Sequence, residues 1–248
     1  MENPGALGLV FAALVVVGAF AVRGTTGFGG QAVAVPLLAL VLPLHIVVPA
    51  ITVVTALASI VAWRRDWRKI LWREILRLLP FTLAGVLMGL YLFNVLDPRT
   101  LVRAFGVFVI AYACFALATA SRSLSVPARV ARPLGAVLSM LSGLIGAVFG
   151  AAAGPLYVIY LNTLRLEKDC FRVTITTILT FQAAFRVAGY AKLGFYNETV
   201  VLLIVAFLPL MLIGSRIGMY VAGRIDQRVF NVGVGVILLG SGVALFFK

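Results

Sequence analysis

The sequence predicts an all-α polytopic membrane protein made of two inverted repeats of about five helical segments each. Of its 248 residues, 62% are hydrophobic and only 12% are charged, and the mean hydropathy is +1.11. Long charge-free stretches alternate with clusters of basic residues, and the second half of the chain repeats features of the first. About a quarter of the residues of a typical soluble domain are charged, so this composition excludes an ordinary globular enzyme. It also excludes a disordered chain, which has low hydrophobicity and high charge.

Apolar helical segments follow one another along the chain, and most are long enough to cross a hydrocarbon core of about 30 Å. Ten are predicted, near 5–22, 31–43, 46–62, 75–96, 100–120, 133–149, 155–164, 173–191, 197–222 and 229–247. The first resembles a signal peptide in length, but the residues before it include the acidic Glu2 and form no basic n-region, so we interpret it as a membrane segment. Segments 31–43 and 155–164 are too short to span alone, which leaves eight to ten membrane segments.

The net charge of +13 lies in the connectors between the apolar segments. Six basic residues fall between positions 64 and 77 alone. This distribution is typical of cytoplasmic loops in a cell (inner) membrane protein and of contact with anionic lipid, and it argues against binding to nucleic acid. Membrane lipid is therefore an expected partner.

An internal repeat divides the chain into residues 1–120, a linker at 121–132, and residues 133–248. Gly85-x-x-x-Gly89 matches Gly214-x-x-x-Gly218 at an offset of 129 residues, while Phe28-Gly29 falls on Phe149-Gly150 at an offset of 121. One short insertion between the two blocks accounts for the change of register. The Gly-x-x-x-Gly pairs permit close helix approach, either between the halves or between two copies, so a homodimer is left open.

Basic residues in equivalent loops indicate that the two repeats are inverted. The connector 64–77 is strongly basic, whereas its counterpart around 192–198 carries only Lys192. If all ten segments alternate, 14 basic residues fall on one side and 4 on the other, whereas eight spans give a weaker 11 against 7. The positive-inside rule therefore favours ten segments with both termini outside.

Two interrupted segments in corresponding positions predict a ligand site near the membrane midplane. A break in a helix leaves backbone N–H groups that lipid cannot satisfy, so the break must face protein, water or a ligand. The breaks are Gly24-Thr-Thr-Gly-Phe-Gly-Gly30 and Gly150-Ala-Ala-Ala-Gly-Pro155. Each precedes the positive N-terminal end of a short helix, and inversion would point these two ends at each other. The sequence therefore predicts an anion-binding site.

Two motifs resemble the signatures of the TauE/SafE family of sulfite exporters, also called toluene-sulfonate uptake permeases. They are Gly27-Phe-Gly-Gly-Gln-Ala-Val-Ala-Val-Pro-Leu-Leu38 and Ser142-Gly-Leu-Ile-Gly-Ala-Val-Phe-Gly-Ala-Ala-Ala-Gly-Pro155. The second departs from the family, because alanines stand at 151–153 where consecutive glycines are usual. The resemblance covers nearly the whole chain and implies secondary transport or export of sulfite, organosulfonate or thiosulfate. Because helix N-termini recognise charge better than sulfur, small carboxylates or other anions are the alternative substrates.

Candidate substrate-binding residues lie in the two breaks or on the helices that flank them: Arg23, Thr25, Thr26, Gly27, Phe28, Gly29, Gly30, Gln31, Thr52, Thr55, Gly150, Ala153, Gly154, Pro155, Thr174, Thr177, Gln182 and Arg186. Threonines in membrane helices often bond to their own backbone, and those at the first break, with Gln31, could equally cap a helix. Arg186 is an ionisable residue at membrane depth, which is usually functional, although it could also snorkel to the interface.

Other chemistry finds little support in the sequence. No carboxylate lies deep within a predicted span, the only histidine is His45 beside a turn, and the two cysteines have no metal-ligand spacing. We therefore predict no cofactor, no metal and no enzymatic activity. A channel is a further alternative, but a duplicated single chain fits a carrier better.

Overall fold

The computed structural model describes residues 6–26, 29–63, 69–119, 128–150, 153–164, 166–221 and 227–247. These residues form ten α-helices: α1 (Ala6–Thr26), α2 (Gly30–Leu38), α3 (Leu44–Trp63), α4 (Trp72–Val95), α5 (Pro98–Thr119), α6 (Ala128–Phe149), α7 (Ala153–Thr163), α8 (Lys168–Lys192), α9 (Glu198–Val221) and α10 (Gln227–Phe246). The all-helical class and the order of the ten predicted segments are confirmed.

The first break is shorter than predicted, because α1 continues through Arg23 and Gly24 to Thr26. Within this last turn the hydroxyl of Thr25 donates a hydrogen bond to the carbonyl of Val22. The second helix ends at Leu38, earlier than predicted, since the chain then turns toward Pro43. The helical conformation is disfavoured at the residue before a proline, here Leu42. The carbonyl of Pro43 then accepts the first hydrogen bonds of α3.

Four helices within the described ranges are long and apolar enough to cross a membrane. They contain Leu7–Thr25, Trp72–Val95, Pro98–Phe115 and Glu198–Val221. Three shorter apolar stretches, Leu44–Ser59, Pro133–Phe149 and Gly233–Phe246, lie in α3, α6 and α10. The helices α2 and α7, of 9 and 11 residues, are too short to span alone, as predicted. The fold is that of a polytopic membrane protein.

The glycine pair of α4 brings that helix into backbone contact with α6. A Cβ atom on Gly85 would overlap the carbonyl oxygen of Met140, and one on Gly89 would lie 2.5 Å from the carbonyl oxygen of Leu144. These contacts advance in the same direction along both helices, so α4 and α6 run parallel. The pair therefore packs the first half of the chain against the second.

The glycine pair of α9 makes the same kind of contact with α1. A Cβ atom on Gly214 would overlap the carbonyl oxygen of Val17, and one on Gly218 would overlap that of Ala21. These two helices also run parallel. Both Gly-x-x-x-Gly pairs are thus used within the chain, one from each half.

The last helices of the two halves, α5 and α10, run antiparallel. A Cβ atom on Gly106 would lie 2.9 Å from the backbone nitrogen of Phe246, whereas one on Gly235 would lie 2.8 Å from a methyl carbon of Leu117. An early position of α5 thus meets the end of α10, and a late position meets its beginning.

Candidate functional site

Arg186 bonds to two helices that adjoin the predicted breaks. Its side chain lies on α8 with only 2% of its surface exposed. One terminal nitrogen donates to the carbonyl oxygen of Gly146, near the end of α6, and the other donates to Oε1 of Gln31 at 3.2 Å. Gln31 is in the first turn of α2, so one guanidinium group joins the end of α6 to the beginning of α2.

Two further polar side chains of α8, one turn to either side of Arg186, bind the same helix. Gln182 donates from Nε2 to the carbonyl oxygen of Ser142 at 2.7 Å, and the Tyr190 hydroxyl donates to the carbonyl oxygen of Ala147. The four-residue spacing places all three α8 residues on one face. This polar stripe fixes α8 against the last two turns of α6 and holds Arg186 in a defined orientation.

Arg23 approaches the beginning of α2 from α1. Its guanidinium donates to the hydroxyl of Ser59 on α3 at 2.6 Å, and that hydroxyl donates to the carbonyl oxygen of Thr55. A Cβ atom on Gly30, the first residue of α2, would lie 3.0 Å from the Cβ of Arg23. The arginine stem therefore packs on the first turn of α2, and only 8% of the residue is exposed.

The backbone at Gly29 has the left-handed conformation that glycine favours, with φ of 89°. Gly29 is the N-cap of α2, and no described side chain caps this helix. A Cβ atom on Gly29 would meet no heavy atom of the described residues within 4 Å. The beginning of α2 therefore carries the partial positive charge of a helix N-terminus that no described side chain caps.

The two buried arginines lack a negative partner in the part of the chain that the structure describes. Their hydrogen bonds go to neutral oxygens, and the recorded ion pair joins Arg77 to Glu74 instead. The residues that the structure describes contain no group of three or more metal-ligating side chains. Because an uncompensated buried charge is costly, two such cations around one helix N-terminus favour binding of an anion.

The predicted site threonines whose side chains the structure describes make three kinds of contact. The hydroxyls of Thr25, Thr52 and Thr177 donate to carbonyl groups three or four residues earlier in their own helices. Thr174 accepts a hydrogen bond from the backbone nitrogen of Leu71 at 3.3 Å. Thr55 alone of these has a buried hydroxyl oxygen without a partner among the described residues.

The remaining predicted residues lie at the breaks. Gly27 and Phe28 are outside the described residues, as is the side chain of Thr26. Gly150 ends α6 with φ of 65°, and a Cβ atom there would lie 2.9 Å from a methyl carbon of Val48. Ala153, Gly154 and Pro155 form the first turn of α7, of which Gly154 is buried.

Several residues around the site were not predicted from the sequence: Ser59, Ser142, Gly146, Tyr190 and Tyr196. Two of them continue a spacing that the sequence already shows. Ser59 follows Thr55 by four residues, and Tyr190 follows Arg186 by four residues, so each lies on the same helix face as a candidate. The carbonyl groups of α6 carry no such signal, because any residue supplies one.

The fold and these residues define a class of protein: a multi-pass membrane protein that buries two arginines beside the beginning of a short helix. A protein-family model described as "Sulfite exporter TauE/SafE" matches residues 10–245, and the chain belongs to this family of membrane transporters, not to an enzyme family. It is 28% identical over 193 residues to "Probable inner membrane transporter protein TsaS" of Comamonas testosteroni, covering 76% of this chain and 77% of that protein. No solved structure matches the chain significantly.

Proposed function

We propose that this protein is a secondary transporter that carries a small sulfur-containing anion across the inner membrane by alternating access. The candidate substrates are sulfite, an organosulfonate or thiosulfate. The observation that supports the proposal most directly is the pair of buried arginines, Arg23 and Arg186, next to the uncapped beginning of α2. The location rests on the description of the relative from Comamonas testosteroni as an inner membrane transporter.

In this proposal the anion binds at the beginning of α2. Arg186 supplies positive charge from α8, Arg23 supplies it from α1, and the helix N-terminus adds its partial positive charge. Gly29 allows the ligand to approach the backbone, because no Cβ atom stands in the way. Arg186 also contacts α6 through Gly146, so a bound anion would be sensitive to movement between the halves.

The packing of the helices supports an inverted repeat with halves at 1–120 and 133–248. The α4–α6 and α1–α9 contacts are counterparts under the repeat, since each joins the glycine pair of one half to the first helix of the other. The fifth helices of the halves, α5 and α10, run antiparallel, as an inversion requires. Rocking of one half against the other around a central site is the usual route to alternating access in such proteins.

We place sulfur-containing anions before carboxylates as candidate substrates because of the family to which the chain belongs. The family is named for sulfite export. The geometry itself recognises negative charge and oxygen acceptors, which small carboxylates also offer. Carboxylate transport is therefore the second candidate function. The thermal unfolding experiment described next distinguishes it from transport of a sulfur-containing anion.

The proposal is tested by thermal unfolding of the detergent-purified protein with sulfite, thiosulfate, taurine, sulfoacetate, sulfate, acetate and chloride. An anion that binds the folded state raises the unfolding temperature in a saturable manner. We expect a sulfur-containing anion to do so in the natural chain and in Arg216→Gln, whose arginine lies on the exposed face of α9, but not in Arg186→Gln. A response to acetate alone would favour the carboxylate alternative, and no response to any anion would contradict the proposed site.

A further inference from the structure

Three buried polar atoms near Arg186 have no hydrogen-bond partner among the described residues. They are Nε of Arg186, Oε1 of Gln182 and the hydroxyl oxygen of Tyr196. Tyr196 lies in the connector between α8 and α9, within electrostatic reach of the Arg186 guanidinium. Buried polar groups are almost always hydrogen-bonded, so unpaired atoms at a proposed binding site indicate what the missing partner must offer.

The orientation of the Gln182 amide is determined by its bond to α6. Its nitrogen lies 2.7 Å from the carbonyl oxygen of Ser142, which can only accept, so this end of the amide must be the NH₂ group. The opposite end is then the carbonyl oxygen. Gln182 therefore presents a buried hydrogen-bond acceptor, whereas Arg186 presents a donor and Tyr196 a hydroxyl.

The acceptor and the arginine donor are close enough for one small ligand to reach both. Gln182 and Arg186 are four residues apart on α8, so their Cβ atoms are separated by about 5–6 Å on the same face. Hydrogen bonds of about 2.8 Å on either side of a small oxyanion can bridge such a pair. Gln182 is fully buried and Arg186 is 2% exposed, so bulk water does not replace these bonds.

We infer that the transported anion carries a hydrogen-bond donor, an O–H or N–H group, which it gives to Oε1 of Gln182. Its anionic oxygens accept from Nε of Arg186. This inference rests on the proposed function and narrows its substrate class. Hydroxy- or amino-substituted sulfonates and singly protonated oxyanions fit, whereas an anion that has only acceptors leaves Gln182 unpaired.

Matched pairs of anions test the inference directly on the purified full-length protein. In one pair, 2-hydroxyethanesulfonate is compared with 1-propanesulfonate, which replaces the hydroxyl by a methyl group. In the other pair, glycolate is compared with propionate in the same way, so the test applies to either anion class. Dissociation constants are measured by calorimetry or by ligand-dependent thermal unfolding.

We expect the hydroxyl-bearing member of the preferred pair to bind about tenfold more tightly, because its analogue leaves a buried acceptor unpaired. In Gln182→Met the ratio should fall toward one, whereas Thr176→Val, which removes a buried hydroxyl that donates within its own helix to the carbonyl oxygen of Arg172, should leave it unchanged. The comparison in the natural chain requires no variant, so a poorly folded Gln182→Met protein does not affect its outcome.

The results separate failure of the inference from failure of the proposed function. Equal binding of both members of each pair, lost in Arg186→Gln, would contradict the donor requirement and would indicate that water fills the space at Gln182. A preference for the hydroxyl-bearing anion that persists in Gln182→Met would assign the donor contact to another residue. No binding of any anion would overturn the proposed function together with the inference.

Discussion

At the scale of single residues, the site depends on charges that the described protein does not neutralise. Arg186 is held by Gly146 and Gln31, and Arg23 is held by Ser59, but all of these partners are neutral. Neutral hydrogen bonds orient a guanidinium group without removing the cost of burying its charge. A bound anion would supply the missing compensation, so ligand binding and protein stability should be tightly coupled.

Replacing Arg186 by lysine tests whether the shape of this cation is needed as well as its charge. A guanidinium donates in two directions at once, whereas a single ammonium cannot hold both Gly146 and Gln31 in the same geometry. We expect Arg186→Lys to weaken anion binding roughly tenfold to hundredfold, as measured by calorimetry. Arg216→Lys on α9 is the control, and equal affinities in all three proteins would contradict this role.

The candidate residues illustrate what a sequence can predict at this scale. Arg186 is predicted as an ionisable residue at membrane depth and Gln31 from its place beside the first break, and the structure joins the two by a hydrogen bond across 155 positions. Such long-range pairing carries no local signal. The hydroxyls of Thr52 and Thr177, in contrast, bond within their own helices, because a carbonyl group one turn earlier is always in reach.

At the scale of helices, glycine determines which pairs come into backbone contact. The spacing of the Gly-x-x-x-Gly pairs predicted close approach, and the structure identifies α6 and α1 as the partner helices. Ridges of small residues allow such contact in membranes, where packing replaces the hydrophobic driving force. The order of the helices was readable from the apolar segments, but their partners were not, because apolar faces look alike in sequence.

Substitution of Gly85 by alanine tests the α4–α6 contact. The new methyl group would overlap the carbonyl oxygen of Met140, and backbone cannot move aside easily. We expect destabilisation of about 1–3 kcal/mol, measured by unfolding in mixed detergent micelles. Gly18→Ala in α1 is the matched control, since a Cβ atom there meets no described atom within 4 Å, and equal stability of the two variants would contradict the predicted contact.

Substitution of Gly29 by alanine separates backbone strain from binding. The φ of 89° disfavours alanine by roughly 1–2 kcal/mol, although space for a methyl group is present. We expect Gly29→Ala to lose both stability and anion affinity. Gly194→Ala carries the same kind of strain at φ of 76° beyond the end of α8, and it should lose stability while retaining its affinity. An unchanged affinity in Gly29→Ala would place the ligand elsewhere.

At the scale of the whole molecule, the directions of the helices agree with the charge of the connectors. In an alternating ten-segment chain, α1 and α9 run the same way, as do α4 and α6, while α5 and α10 run oppositely. The glycine contacts have these directions, whereas counting α1 with α2, and α6 with α7, as single spans would make α5 and α10 parallel. Basic connectors predicted the same alternation from sequence alone.

Ten alternating segments put both termini on the same side of the membrane, and the basic connectors predict that this is the outer side. A phosphatase that folds only outside the inner membrane should be active when fused to the C-terminus, and a fluorescent protein that folds only inside should be dark. Fusions after Arg122, in a basic connector, are the control and should behave in the opposite way. A fluorescent C-terminal fusion would contradict the ten-segment arrangement.

Counterflow in proteoliposomes tests most directly the claim that this protein carries a sulfur-containing anion through the site at Arg186. Vesicles are preloaded with unlabelled sulfite, and the uptake of radiolabelled sulfite is followed against its concentration. We predict saturable uptake that internal sulfite stimulates, that Arg216→Gln retains and that Arg186→Gln abolishes. Uptake that neither saturates nor responds to internal sulfite, or that Arg186→Gln leaves intact, would contradict the account.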